Sequence, residues 1–259
     1  MNENQSMKVA VAGGTGTVGH HVVAALEASG HEAVVLSRRT GVDLMTGDGL
    51  DAALAGADAV VDVTSTPTMS SRRSRDFFTT VTSRLLAAEQ RAGVRHHVAL
   101  SVVGADRGRT GHYAGKLAQE RLVEAGPVPW TILRATQFHE FASQVHAGMT
   151  AGPWHLAPRM RTQPVAASEV GARLAELATG APAGRARELA GPHEAWLPDL
   201  VRAWDRAVGG SGHVLGVPLP GVLGRAMRRG WLLPGPDADR GRQTFGQWLE
   251  QARPARTRA

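Results

Sequence analysis

Lys8-Val9-Ala10-Val11-Ala12-Gly13-Gly14-Thr15-Gly16-Thr17-Val18-Gly19 is an apolar, strand-forming run that breaks into glycines and then opens a helical stretch from Thr17 to Ser29. Strand, glycine turn and helix in that order let backbone N–H groups and the positive end of the helix face an anion. With 31 glycines in 259 residues, the Gly-x-x-Gly-x-x-Gly spacing alone carries little weight. Its position carries more, because the first strand-to-helix junction of a βαβ unit is where such folds open their ligand crevice. Gly13, Thr15, Gly16, Thr17, Val18 and Gly19 are therefore candidate contacts for the pyrophosphate of a dinucleotide. The plain alternative is a tight turn that needs small residues.

Outward from this stretch the same rhythm repeats. Val9–Ala12, Ala33–Leu36, Ala59–Val63, Val98–Ser101 and Thr131–Leu133 are short apolar runs suited to parallel strands covered on both faces, and Val42–Leu44 is a shorter candidate. Helices are expected between them at 17–29, 49–55, 74–92 and 113–125, with Gly30, Gly56, Gly93 and Gly126 as stop signals. The fold class is α/β, a Rossmann-type doubly wound parallel sheet. After Arg134 the chain is richer in Pro, Gly and Trp. Helices are expected there at 138–148, 168–178, 197–208, 222–229 and 244–251. No repeat or low-complexity linker separates the halves, so residues 1–134 are expected to form the core and 135–259 a smaller C-terminal substrate-binding lid packed on it.

Composition excludes several classes. Cysteine is absent, which removes disulfide frameworks, thiolate nucleophiles and iron–sulfur clusters. The formal charge of +6 is spread along the chain, and its densest run, Arg253, Arg256 and Arg258, has no interleaved aromatics and reads as a solvated end. No nucleic-acid or membrane partner is expected. Met1–Ser6 is polar and no apolar span of membrane length follows, so the expected location is the cytoplasm. Between monomer and homodimer the sequence does not choose. His139, His146 and His155 have spacings of seven and nine that fit no common ligand pattern, so no metal is expected.

The end of the second strand is where an NAD-selective site carries a carboxylate for the ribose hydroxyls. Ser37, Arg38 and Arg39 stand there instead. Guanidinium groups hold a 2′-phosphate through charge-assisted bonds, which favours NADP(H) over NAD(H). In a chain with two lysines among 29 basic residues, ordinary solvated arginines are the competing reading. Asp43 keeps an adenosine contact open, and Thr64 and Ser65, after the 59–63 strand, complete the candidate cofactor set. At the reacting end, Tyr113 is the one tyrosine of the chain and Lys116, one of the two lysines, follows three positions later. A compact ammonium lowers a neighbouring phenol's pKa and reaches ribose hydroxyls, which a broad guanidinium does not. Ser101, at a strand end, is expected to turn its hydroxyl into the same crevice and orient a substrate carbonyl. Local backbone satisfaction is the equal alternative.

These residues resemble the short-chain dehydrogenase/reductase superfamily, in particular its atypical NmrA-like, NAD(P)H-binding branch. The likeness is carried by Val11–Gly19, Leu-Ser-Arg-Arg from Leu36, the run Ala53–Val61, Ser101, Lys-Leu-Ala-Gln-Glu from Lys116, Trp-Thr-Ile-Leu-Arg from Trp130 and Thr-Phe-x-x-Trp-Leu from Thr244. The superfamily's acid is a tyrosine four residues before the lysine, and here that position is His112. Spacings of three and four both share a helix face, so Tyr113 and His112 are alternative proton donors, His112 implying an acidic pH optimum. Gln137, Phe138, Phe141 and Trp154, with Met149 and Met160 nearby, follow the last core strand and are candidate substrate contacts in an aromatic-friendly pocket, with core packing the equal alternative for each. The resemblance implies an NADPH-dependent oxidoreductase acting on a small carbonyl or conjugated organic substrate. Its alternatives are a redox-inactive NADP(H)-binding regulator and a redox-neutral, cofactor-assisted isomerase or epimerase.

Overall fold

A computed structural model describes residues 6–210 and 212–252; Arg253, Arg256 and Arg258 lie outside the described residues. The chain divides into two compact units, one formed by the described residues through Arg134 with Ala167–Arg187, the other by Ala135–Ala166 with the described residues from Glu188 onward.

In the first unit, β1 (Lys8–Ala12) leads through the glycine turn to α1 (Gly19–Ala28), then β2 (Glu32–Leu36), α2 (Leu50–Leu54), β3 (Ala59–Asp62) and α3 (Ser71–Ala92). β4 (His96–Val102), α4 (Ala105–Gly108), α5 (His112–Ala125) and β5 (Trp130–Ala135) follow. The next elements, α6 (Phe141–Gly148), β6 (Thr150–Ala151), β7 (Trp154–Pro158) and β8 (Arg161–Thr162), belong to the second unit. The chain then rejoins the first unit for α7 (Ala167–Thr179) and β9 (Gly184–Arg185). Residues 167–187 thus cluster with the N-terminal part, where α7 packs on α1.

The strand order β2-β1-β3-β4-β5, with β9 beside β5, sets β1 between β2 and β3 and parallel to both. Its residues Val9–Ala12 are fully buried, as a strand covered on both faces demands. Leu36, Leu50, Leu54, Val60, Val81 and Leu85 form the apolar core around it. Each expected strand and helix is found to within a few residues, with one exception: Val42–Leu44 forms no strand. Asp43 Oδ1 accepts from the amides of Met45 and Thr46 (2.7 and 3.3 Å), and this local turn takes up the backbone groups that a strand would need.

Two neighbouring histidines on β4 are buried with opposite consequences. His96 Nε2 meets Thr131 Oγ1 at 2.8 Å, and burial lowers its pKa. His97 Nδ1 lies 2.8 and 3.0 Å from the two Glu89 carboxylate oxygens, with both side chains fully buried. Burial opposes the His97 imidazolium, but Glu89, and behind it Asp62, outweigh that cost and raise its pKa above 6.5. A histidine whose folded pKa is raised lends stability below its unfolded pKa and loses it as pH climbs through the folded value. The stability difference between wild type and His97→Gln is therefore expected to be largest below pH ~6.5 and to shrink at alkaline pH. Urea unfolding across that range measures it, and a pH-independent difference would contradict a charged pair.

The second unit continues with β10 (Leu189–Ala190), β11 (Ala195–Trp196), α8 (Leu197–Ala207), β12 (His213–Val217), α9 (Gly221–Arg229), β13 (Asp239–Arg240) and α10 (Phe245–Ala252). A small sheet β12-β7-β6 was not legible from the sequence. No helix of the described residues is long and apolar enough to cross a membrane.

Candidate functional site

The glycine turn lies at the carboxyl edge of the sheet. Gly13 has φ +82°, and a Cβ there would sit 3.1–3.2 Å from the Val63 carbonyl group and the Thr64 amide that follow β3. A Cβ on Gly19 would fall on the Gly13 carbonyl oxygen and 2.6 Å from Gly14 Cα. Only bare backbone allows α1 to start this close to the turn. The amides of Thr15, Thr17 and Val18 have no backbone acceptor among the described residues. They are the unsatisfied donors of a helix start, and they fit the oxygens of a pyrophosphate.

Register fixes the neighbouring cation pair. Ala12 pairs with Leu36, so Ser37, Arg38 and Arg39 follow directly beside the glycine turn. A single 3-10 turn, Arg38–Thr40, holds them, with Thr40 Oγ1 donating to the Val35 carbonyl at 2.7 Å. Both arginines are exposed. Asp43 spends one carboxylate oxygen, Oδ1, on its own turn, as described.

α5 brings the reacting-end residues to the same edge because it packs tightly on α3. At Gly115 a Cβ would strike Ser74 Oγ and the Phe78 ring. Lys116, 4% exposed, lies with Nζ 4.4 Å from the Phe78 ring centroid. Its ammonium donates to the Leu100 carbonyl (2.8 Å), the Gln119 Oε1 (2.9 Å) and the Thr64 carbonyl (3.2 Å). Three acceptors match its three hydrogens, and in this arrangement the ammonium joins the end of β3, β4 and α5. Burial lowers its pKa to about 8, against the pull of Asp62 and Glu120.

Asp62 and Gln119 escaped the sequence reading. Asp62, fully buried, accepts from the Thr64 amide and hydroxyl (2.9 and 2.6 Å) and from Gln119 Nε2 (2.7 Å). It therefore fixes Thr64 directly and Lys116 through Gln119. Ser65, next along, is exposed.

His112 sits edge-on to Phe78, with centroids 5.4 Å apart. Burial and the Lys116 charge push its pKa down to about 4, against a hydrogen bond to the Thr66 backbone. At neutral pH the ring is uncharged, so a cationic His112 acid is available only in acid, in line with the acidic optimum that this donor implies. Tyr113 is 8% exposed and packs where a side chain on Gly108 would lie. Ser101 is also buried, and its Oγ donates to Glu120 Oε1 at 2.5 Å, so its hydroxyl is directed to Glu120 rather than into the crevice. Glu120 in turn receives Arg134 at both oxygens (2.8 and 2.7 Å) and Arg185 at one (3.1 Å). Burial alone would raise Glu120, but the bonds from Arg134 and Ser101 and the charges of both arginines bring it below 4.5.

The four candidate substrate residues belong to the second unit. Gln137 Oε1 accepts from Thr162 Oγ1 at 2.6 Å, Phe138 bridges to Val165, and Phe141 opens α6 half-buried. Trp154 is 43% exposed on β7, against His213. A cavity of about 160 Å³ in that unit is lined by Pro164, Pro192, His193, Leu200 and Phe245 among others, and by none of these four. Met160 is fully buried core, and His139 packs beside Phe245 and Trp248 with Nε2 3.1 Å from the Gln243 carbonyl.

No curated protein sequence matches the chain. Among solved structures it is similar to a short-chain dehydrogenase/reductase superfamily protein from Agrobacterium tumefaciens with bound NAD, at 19% identity and TM-score 0.67, with 95% of each chain covered. It is also similar to an NADPH-dependent quinone oxidoreductase from Escherichia coli complexed with NADPH (16% identity, TM-score 0.69, covering 94% of this chain and 99% of that one). A third is a UDP-glucose 4-epimerase of Thermus thermophilus in complex with NAD (19%, TM-score 0.64, 96% and 94%). At these identities the likeness establishes the fold, a Rossmann-like parallel α/β sheet flanked by helices. A family profile described as NAD(P)H-binding matches residues 13–153, from the glycine turn through the whole βαβ series and beyond it. With more than half of its length so matched, the chain belongs to the NAD(P)H-binding family.

Proposed function

We propose that the protein is an NADP(H)-dependent oxidoreductase whose substrate is a conjugated acceptor of the quinone class. The observation that carries the reading is the acid set: a neutral His112 at the tyrosine position beside a Lys116 committed to protein acceptors. Bound cofactor supplies the hydride. Thr15, Thr17 and Val18 hold the pyrophosphate through backbone amides in the turn that Gly13, Gly16 and Gly19 shape, and Ser37, Arg38 and Arg39 hold the 2′-phosphate. Lys116, with Asp62 and Gln119, keeps Thr64 and the end of β4 in place beneath them. A simple ketone becomes a strongly basic alkoxide on accepting hydride and needs a proton donor in place, whereas a quinone becomes a phenolate that water protonates. The similar quinone oxidoreductase is in keeping with this choice.

NADPH consumption is to be measured against matched panels of quinones and simple ketones. Quinones are expected to turn over at least tenfold faster, and equal rates would overturn the substrate class. Cofactor binding without turnover on either panel would favour a redox-sensing regulator, a reading that the engaged Lys116 and Ser101 also support. Replacing Arg38 and Arg39 together by Ala is expected to weaken NADP(H) by roughly ten- to a hundredfold and leave NAD(H) nearly unchanged. Calorimetry with both cofactors checks this, and equal weakening would rule out the 2′-phosphate assignment.

A further inference from the structure

The second unit gathers three side chains that the proposed reaction does not use. His146 on α6, His155 on β7 and Asp205 on α8 bring one ligand atom each within 4.8 Å of one another. His146 Nε2 lies 2.9 Å and His155 Nε2 3.7 Å from the same Asp205 Oδ1. Sequence spacing placed no carboxylate among the histidines because Asp205 comes from 59 positions beyond His146.

Asp205 is 4% exposed, and its ion partners among the described residues are these two imidazoles, with no arginine or lysine on it. A buried carboxylate calls for a compensating cation. His155 Nδ1 lies 3.0 Å from the His146 carbonyl oxygen. A carbonyl only accepts, so Nδ1 carries the proton and the neutral ring keeps its Nε2 lone pair on the Asp205 side. Such a bond from the second nitrogen is what orients a metal-ligating imidazole.

We propose that His146, His155 and Asp205 bind a divalent transition-metal ion of the zinc type. With metal–ligand bonds of ~2.0–2.2 Å, the 2.9 and 3.7 Å separations subtend angles of about 90° and 130°, on either side of tetrahedral. Two imidazoles and a carboxylate suit zinc, cobalt or nickel better than magnesium or calcium, and three ligands leave a fourth position for water. The rings are stacked 3.7 Å apart at 17°, so one of them turns out of the stack to aim its lone pair at the ion. Both rings retain some exposure, 17% and 20%, which gives the ion a route from solvent.

The test uses the full chain without cofactor, titrated with Co²⁺ and followed by its visible ligand-field bands, with Zn²⁺ calorimetry alongside. One ion per chain is expected, with His155→Gln and Asp205→Asn each weakening it roughly a hundredfold. Zn²⁺ is expected to raise the thermal midpoint of wild type but not of either variant. Absence of Co²⁺ bands, or unchanged affinity in His155→Gln, would overturn the site. His155→Cys gives a reading that holds even if Asp205→Asn folds poorly. The chain has no other cysteine, so a sulfur-to-cobalt charge-transfer band arises only if position 155 ligates the ion, and its absence counts against the proposal.

Discussion

Glu120→Ala is expected to lower the unfolding free energy by about 3–5 kcal/mol, the cost of breaking a buried ion pair from one side. The Glu120 side chain is 1% exposed and holds Ser101, the 15% exposed Arg134 and the more exposed Arg185 at once. Removing it takes two bonds from the largely buried Arg134 guanidinium, which keeps Asp106 at 3.0 Å, and leaves the Ser101 hydroxyl without its Glu120 acceptor. Arg185, at 45% exposure, regains water and adds little. Glu120→Gln keeps the shape and part of the bonding, so a smaller loss is expected. The sign of the pH effect follows from the depressed pKa of Glu120. Its contribution is present above ~4.5, the unfolded value, and disappears as pH falls through the lower folded one. Urea unfolding of wild type and variant is expected to show curves that converge in acid. A difference under ~1 kcal/mol at pH 7 would mean that the cluster behaves as a surface pair.

The same cluster shows what was legible in the sequence and what was not. Lys116, Gln119 and Glu120 fall within one short stretch, Lys-Leu-Ala-Gln-Glu, at helical spacings of three and four, so their shared face was open to reading. Arg134 closes the strand stretch Trp-Thr-Ile-Leu-Arg. The structure joins the two stretches through the Glu120–Arg134 pair and shows that much of this region's ionic chemistry holds α5 on β4 and β5. Parallel strands and their helices were readable because apolar runs and glycine stops are local signals. Side-chain direction was not. Ser101 was expected to face the crevice, but which acceptor captures a strand-end hydroxyl depends on Glu120, 19 residues later and on another element. Asp205 meeting His146 and His155 is the same limit across a longer separation. The short strands β6 and β8, two residues each, carry too little periodicity to be seen at all.

The second large effect separates two glycines that look alike in sequence. Gly19→Ala puts a methyl group on the Gly13 carbonyl oxygen and within 2.6 Å of Gly14 Cα, all rigid backbone, so the turn must open or α1 must shift. Overpacking of this kind costs about 3 kcal/mol. It also displaces the amides of Thr15, Thr17 and Val18, and NADPH affinity is expected to fall roughly a hundredfold because those donors work only in their preset directions. Gly30→Ala is the control. Gly30 has φ +80° with nothing within 4 Å of a Cβ, so its variant bears backbone strain of ~1–2 kcal/mol and nothing else. Both variants lose stability, but only Gly19→Ala is expected to lose the cofactor when calorimetry is run well below either melting midpoint. Unimpaired NADPH binding by a folded Gly19→Ala would show that the phosphate contacts lie outside this turn, and the cofactor assignment of Gly13–Gly19 would fall with it.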